Sequence, residues 1–106
     1  MAQTRITVPG TVRRGEAFEI RVLIAHPMET GFRFDASGQR VPRSLIRRFS
    51  CHYDGELVIE VDLHPAISAN PYLAFHALAR ATGTLSFRWS GDDGFVHTES
   101  VGVTVT

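Results

Sequence analysis

The chain has 106 residues, of which 43% are apolar, and its eleven basic residues balance eleven carboxylates to a formal net charge of zero at pH 7. This length excludes a two-domain enzyme, and the apolar content predicts one globular domain over residues 1–106 rather than a disordered chain. The neutral charge balance provides no long-range field for nucleic acid or for an anionic membrane, so neither is expected as a partner.

Alternating apolar and polar residues predict a series of β-strands. In chain order, the predicted strands cover 5–9, 18–24, 45–53, 56–62, 72–79, 84–90 and 95–105. The alanines of 72–79 would also suit a short helix. Asp54-Gly55 predicts a tight hairpin, because both central residues of a type I′ turn need positive φ. About seven strands and no convincing amphipathic helix predict an all-β, immunoglobulin-like antiparallel β-sandwich.

Two predicted loops are longer than a hairpin requires, namely 26–42 and 63–71. Connections longer than about 12–15 residues in a compact domain are usually functional or disordered. The first loop contains Met28, Phe32 and Phe34, which are unusual in disordered segments. We therefore expect an ordered loop that packs against another surface.

The sequence predicts no catalytic residue, metal ligand or cofactor motif. Its histidines are each at least ten residues apart, which rules out a local metal clamp and leaves open a site assembled from distant strands. The single cysteine, Cys51, shares its strand face with Phe49 and Tyr53, whereas His52 points to the opposite face. Cys51 is therefore interpreted as a small buried hydrophobe, with an inter-chain thiol as the alternative.

Two groups of charged residues allow two interpretations each. Asp92 and Asp93 resemble paired carboxylates, but they lie between glycines where Asp is favoured as a turn former. An arginine cluster could hold an oxyanion or an acidic partner, or could protect a strand edge against self-pairing. The cluster consists of Arg40, Arg43, Arg47 and Arg48. Because neighbouring strand residues face opposite ways, either Arg47 or Arg48 should depart from the in–out pattern, in which apolar residues face inward and polar residues face outward.

Several short motifs, in this order and spacing, resemble the SoxZ family over nearly the whole chain. They are Ile24-Ala25-His26-Pro27-Met28-Glu29-Thr30-Gly31, Val41-Pro42-Arg43, Phe49-Ser50-Cys51, Ser68-Ala69-Asn70-Pro71-Tyr72 and Phe87-Arg88-Trp89. SoxZ is the small subunit of the SoxYZ sulfur carrier of bacterial thiosulfate oxidation. The family's immunoglobulin-like sandwich agrees with the fold predicted from the strand pattern.

The resemblance implies a non-catalytic role without a cofactor. A SoxY-type partner would carry sulfur intermediates on a cysteine of its C-terminal arm, and this chain has no Gly-Gly-Cys-Gly-Gly tail of that kind. A heterodimer or higher assembly with that subunit is expected, together with transient contacts with other Sox enzymes. The chain begins without an apolar signal segment and by itself indicates the cytoplasm. The family implies the periplasm, reached by export together with the partner.

The resemblance also suggests which residues face the partner or its carrier arm. These candidates are His26, Pro27, Met28, Glu29, Thr30, Arg43, Asn70 and Tyr72. The alternative is that Pro27 and Gly31 only shape a loop. Two other functions stay open at this stage, a periplasmic accessory or adhesion-type binding module and a small hydrolase or metal enzyme. A homodimer of the isolated chain is also open.

Overall fold

A computed structural model describes residues 3–25, 32, 34–40, 45–63 and 71–106. Its strands are β1 (Gln3–Thr7), β2 (Thr11–Val12), β3 (Ala17–Ala25), β4 (Ile46–Tyr53), β5 (Glu56–Asp62), β6 (Tyr72–Leu78), β7 (Gly83–Gly91) and β8 (Val96–Val105). A 3₁₀ turn, Asp92–Gly94, links the last two strands. The all-β prediction is confirmed, and 72–78 is a strand rather than a helix. Across the described residues, we find no helix with the length and apolar character to cross a membrane.

The strands form two sheets, one with the order β1-β3-β6 and one with the order β2-β8-β7-β4-β5. All neighbours are antiparallel except β2 and β8, which pair in parallel. The predicted sandwich is confirmed, with β2 as an additional strand. Two residues are too few to show an alternating pattern, which is why the sequence did not predict β2.

Turn chemistry fixes the predicted hairpin between β4 and β5. Asp54 and Gly55 have φ values of 48° and 85°, as a type I′ turn requires. The pairing of β4 with β5 has a register irregularity between Cys51 and His52. The pairing of β4 with β7 has a second one, between Ile46 and Arg48. The residue without a partner is Val58 of β5 in the first irregularity and Arg47 of β4 in the second.

The core lies between the two sheets and is formed by the alternate strand residues whose side chains face inward. Phe49 connects the layers, because its ring centroid lies 5.9 Å from that of Phe75 on the smaller sheet and 5.1 Å from that of Trp89 on its own sheet. The fully buried side chains with the largest volumes are Trp89, Tyr53, Phe49, Phe87, Ile20, Ile24, Ile46 and Leu85. This burial is the main source of stability for a small sandwich.

Candidate partner-binding surface

One end of the sandwich collects the chain ends that adjoin the long loops. The Ile24 N–H donates to the Pro71 carbonyl at 3.3 Å, and the Leu63 N–H donates to the Arg47 carbonyl at 2.8 Å. These bonds join the end of β3 to the start of β6, and the end of β5 to the start of β4. We call this region the loop end; it comprises Ile24–Ala25, Leu45–Ile46, Asp62–Leu63, Pro71–Tyr72 and Gly91–Phe95.

The opposite end, the hairpin end, comprises 53–56 and 79–84. The Tyr53 hydroxyl donates to the Ala81 carbonyl and accepts from the Arg80 and Ala81 N–H groups at 3.4 and 3.2 Å. An Asp54 carboxylate oxygen accepts from the Thr84 N–H at 2.8 Å. Because β4 and β6 both finish here, both must begin at the loop end. The two sheets therefore present their loop-connected ends together.

Most of the candidate partner-facing residues lie outside the described residues, namely His26, Pro27, Met28, Glu29, Thr30, Arg43 and Asn70. The strand ends that these segments adjoin are described. The first segment follows Ala25, Arg43 precedes Leu45 by two positions, and Asn70 directly precedes Pro71. All three attachment points belong to the loop end, although the chain separates them by up to 46 positions.

Tyr72 is the candidate whose side chain the structure describes. It is 57% exposed and lies on the outer face of β6, opposite Leu23 of β3. The shallow depression beside it has a volume of about 260 Å³ and is lined by Arg5, Thr7, Arg21, Val22, Leu23 and Tyr72. Arg21 donates to Glu19 at 2.6 Å, and this carboxylate raises the pKa of Arg21. The ring and the guanidinium groups suit a partner surface with apolar groups and hydrogen-bond acceptors.

The turn carboxylate Asp92 holds the start of β4. Its Oδ1 accepts from Arg47 Nε at 2.7 Å, and its Oδ2 accepts from the Leu45 N–H at 3.1 Å. The Asp92 N–H in turn donates to the Leu45 carbonyl at 2.9 Å. The predicted turn position is confirmed, and the side chain additionally anchors a strand 45 residues away. Nothing in the local sequence indicated that contact.

The described arginines of the cluster already have partners on this chain. Arg48 lies 3.1 Å from Asp62 and 3.5 Å from Glu60, while the guanidinium of Arg40 lies 5.7 Å from the ring centroid of Phe34. Arg47 and Arg48 are both exposed, because Arg47 occupies the bulge after Ile46. The predicted departure from the in–out pattern is thus at Arg47. These pairings reduce the positive charge available for an oxyanion.

The described part of the first long loop does not bury its aromatic residues on this chain. Phe32 is 79% exposed and Phe34 is 58% exposed. Asp35 Oδ1 accepts from Ser37 and Gln39, and Phe34 pairs with Arg40 as an isolated bridge. The loop therefore has local order between 34 and 40, and its two aromatic rings face outward.

Cys51 lies in the core and has no exposed surface. Burial raises the pKa of its thiol to about 12. The structure thus places Cys51 as a small buried hydrophobe, and a bond from its sulfur to another chain would require β4 to open. A neutral, buried thiol is a poor nucleophile.

The histidines in the described part of the chain are dispersed. His52 and His76 lie on the outer faces of different sheets, whereas His97 lies 3.1 Å from Glu99, which accepts from Thr4 at 3.1 Å. Among the described residues, no group of three His, Cys, Asp or Glu side chains is arranged to hold a metal ion.

Sequence reasoning did not identify a groove along the side of the sandwich between β5 and β6. It has a volume of about 320 Å³ and is lined by Tyr53, Glu56, Leu57, Val58, His76, Ala77, Leu78 and Arg80. Leu57 and Leu78 are 57% and 55% exposed. The signal available in the sequence was the uncharged strand from Tyr72 to Leu78, whose neighbours could not be known without the topology.

The fold defines an immunoglobulin-like β-sandwich, and solved structures of this architecture match it closely. A superoxide reductase (neelaredoxin) from Ignicoccus hospitalis superposes with a TM-score of 0.74 at 18% identity, covering 97% of this chain and 80% of its own. A putative superoxide reductase from Thermotoga maritima gives 0.73 at 17%, with 97% and 85% covered. The sulfur carrier protein SoxY from Chlorobium limicola f. thiosulfatophilum gives 0.69 at 16%, with 97% and 78% covered. At these identities, the likeness shows the fold alone.

The sequence identifies the family within this class. The family model of the sulphur oxidation protein SoxZ matches residues 6–102, and the chain belongs to the SoxZ family. The match spans every strand from the end of β1 to most of β8. No curated protein matches the chain.

Proposed function

We propose that this chain is the non-catalytic subunit of a SoxYZ-type carrier. It binds a SoxY-type subunit and presents that subunit's sulfur-bearing cysteine to the other enzymes of thiosulfate oxidation in the periplasm. The observation that carries this proposal is the SoxZ match over residues 6–102.

The geometry supports a binding role in two ways. The loop end brings the attachment points of all the candidate partner-facing segments to one region, and Tyr72 adds an exposed aromatic ring there. The chain's own cysteine is buried and has a raised pKa, which suits a subunit that leaves sulfur chemistry to its partner.

Co-expression with the SoxY-type subunit tests the proposal directly. We expect size-exclusion chromatography to show a 1:1 complex or a multiple of it. After exposure to thiosulfate and the Sox enzymes, intact mass under non-reducing conditions should show added sulfur on the partner alone. Absence of a complex, or added sulfur on Cys51, would contradict the proposal.

A triple variant tests the first loop segment. Replacing His26, Met28 and Glu29 by alanine should slow thiosulfate-dependent turnover of the carrier, while the thermal unfolding midpoint stays unchanged. Ser86→Ala, Thr98→Ala and Ser100→Ala together provide a matched control on the outer face of the five-stranded sheet. Equal turnover in the two variants would remove the assignment of the first loop segment.

The periplasmic location needs its own measurement. Cell fractionation should find the chain in the periplasm when it is co-expressed with a partner that carries an export signal, and in the cytoplasm when the partner's signal is deleted. Recovery in the cytoplasm under both conditions would contradict export with the partner.

A further inference from the structure

Among the described strands, four lie at sheet edges: β1 and β6 in the smaller sheet, β2 and β5 in the larger one. An edge strand exposes backbone N–H and C=O groups and can accept another strand. Natural proteins usually protect such edges by shortness, charged side chains, proline or bulges.

Three of these edges carry a recognised form of protection. β2 has only two residues. β1 carries Arg5 near its centre. β5 contains Glu56, Glu60 and Asp62 and is part of the register irregularity opposite Cys51 and His52.

The fourth edge, β6, carries none of these devices. Its sequence from Tyr72 to Leu78 has no arginine, carboxylate or proline, and His76 is its one titratable group besides the Tyr72 phenol. Its pairing with β3 is regular over all seven positions. In the part of the chain that the structure describes, β3 is its sole sheet neighbour.

Hydrogen bonds at both ends of β6 define which of its backbone groups face outward. At one end the Pro71 carbonyl accepts from Ile24, and at the other the Ala79 N–H donates to Glu16 at 2.8 Å. In an antiparallel pair the N–H and C=O of one residue point to the same side, and the side alternates along the strand. Odd-numbered residues therefore bond β3. The open edge is formed by the backbone groups of Tyr72, Ala74, His76 and Leu78.

The groove between β5 and β6 complements this open edge. A strand added to β6 would direct alternate side chains into the groove, against Leu57, Val58 and Ala77. The charged residues that border the groove are already paired, since Arg80 bonds Glu56 and its guanidinium lies 5.2 Å from the ring centroid of Tyr53. The site therefore suits uncharged, apolar side chains.

From these observations we infer that β6 is the strand-addition site for the carrier subunit, which contributes an extended, uncharged strand to the three-stranded sheet. This inference rests on the proposed function and names the surface used. Main-chain bonds to the even-numbered residues supply the pairing, and the groove selects apolar side chains.

Charge distinguishes the carrier from a second copy as the occupant. A second copy joined edge to edge at β6 would place its own β5 alongside this β5. Arg80 pairs with Glu56, and Arg48 pairs with Glu60 and Asp62, so each β5 region keeps one net negative charge and the two regions would repel. A different subunit can instead place neutral or basic residues opposite β5. We therefore assign the edge to the carrier rather than to self-association.

Residue-resolved amide hydrogen exchange on the free chain and on the 1:1 complex tests this assignment. Complex formation should slow exchange at Ala74 and His76 by about 100-fold or more, because these amides gain hydrogen bonds. Glu60 and Asp62, whose amides face the open edge of β5, should change little. A complex without the slowed exchange on β6 would overturn the strand-addition site and leave the proposed function standing, whereas absence of any complex would remove the proposed function itself.

A matched pair of proline variants gives a second test. His76→Pro removes an edge-facing N–H that β3 does not use, and Glu60→Pro makes the same change on β5. We expect His76→Pro to weaken carrier binding at least about tenfold and Glu60→Pro to leave it nearly unchanged. Circular dichroism checks that both variants fold.

A third variant keeps the test decisive if His76→Pro does not fold. Ala74→Glu places a carboxylate on the edge opposite Arg21, so the fold should tolerate it while carrier binding weakens. Carrier binding equal to that of the unmodified chain, in a folded His76→Pro or in Ala74→Glu, would overturn the inference. Slowed exchange at Ala74 and His76 in the concentrated chain alone would identify a second copy as the occupant instead.

Discussion

The hairpin end and the loop end differ in how the chain completes them. At the hairpin end, a tyrosine hydroxyl, a turn carboxylate and a two-residue turn satisfy the neighbouring backbone groups from within the chain. At the loop end, the described contacts hold the strand starts through Asp92, yet Tyr72 is more than half exposed. The comparison separates an end whose turn groups are bonded within the chain from an end that carries an exposed aromatic ring.

The same substitution at one glycine of each end should produce the largest difference. A Cβ added at Gly91 would overlap the Leu45 carbonyl and the Ile46 Cα, both backbone atoms of β4. A Cβ added at Gly83 would overlap the Asp54 carboxylate, a side chain that can rotate away. We expect Gly91→Ala to lower the free energy of unfolding by about 3 kcal/mol and Gly83→Ala by about 1 kcal/mol.

Urea denaturation of both variants measures this difference. An equal loss of stability would mean that the strands at the loop end separate as readily as the Asp54 side chain rotates. The contrast between a fixed strand start and a movable turn side chain would then be wrong.

The two tyrosines provide the next test. Tyr53→Phe removes the hydroxyl that serves Arg80 and Ala81, which leaves backbone groups without their partner and should cost about 2 kcal/mol. Tyr72→Phe, at the exposed site, should leave the free energy of unfolding unchanged within about 0.5 kcal/mol. Chemical denaturation compares the two variants, and similar losses would show that the loop end depends on Tyr72 for stability.

The sequence predicted the features that depend on neighbouring residues. Alternation identified the seven main strands and the core positions, and Asp54-Gly55 identified its hairpin, because strand and turn preferences are local. The short β2 escaped prediction because its existence depends on pairing with Thr104 and Val105 at the far end of the chain.

The site was harder to predict, because its contacts join residues that are far apart in the sequence. The contact of Asp92 with Leu45 and Arg47 and the groove beside Leu57 and Leu78 both require knowledge of which strands are neighbours. Local patterns specify which way a residue faces. They do not specify which distant strand it meets.

The buried thiol makes a pH-dependent prediction about the sandwich interior. The pKa of Cys51 is raised from 9.0 to about 12 in the folded chain. Between these values the unfolded chain loses the thiol proton while the folded chain retains it, so this contribution to stability is complete below pH 9 and declines as the pH rises. The decline should be about 1.4 kcal/mol per pH unit above pH 9.

Comparison with Cys51→Ala isolates this group from the other titrating side chains. We expect the stability difference between the unmodified chain and Cys51→Ala, measured by denaturation at pH 8 and pH 10, to shift by about 1 kcal/mol in favour of the variant. A constant difference would show that the thiol ionises in the folded chain, and Cys51 would then be accessible to reagents and to a partner.

The smallest effect on stability and the sharpest effect on binding should occur at Tyr72. Tyr72→Ala removes a side chain that is 57% exposed, so the unfolding midpoint should shift by no more than about 0.5 kcal/mol in free energy. An exposed tyrosine beside the candidate partner-facing segments is typical of residues that dominate interfaces, so affinity for the proposed carrier subunit should fall at least about tenfold. Isothermal titration calorimetry measures this, with Thr98→Ala on the outer face of the five-stranded sheet as the control. If Tyr72→Ala bound the carrier subunit as tightly as the unmodified chain, the loop end would contribute little to carrier affinity.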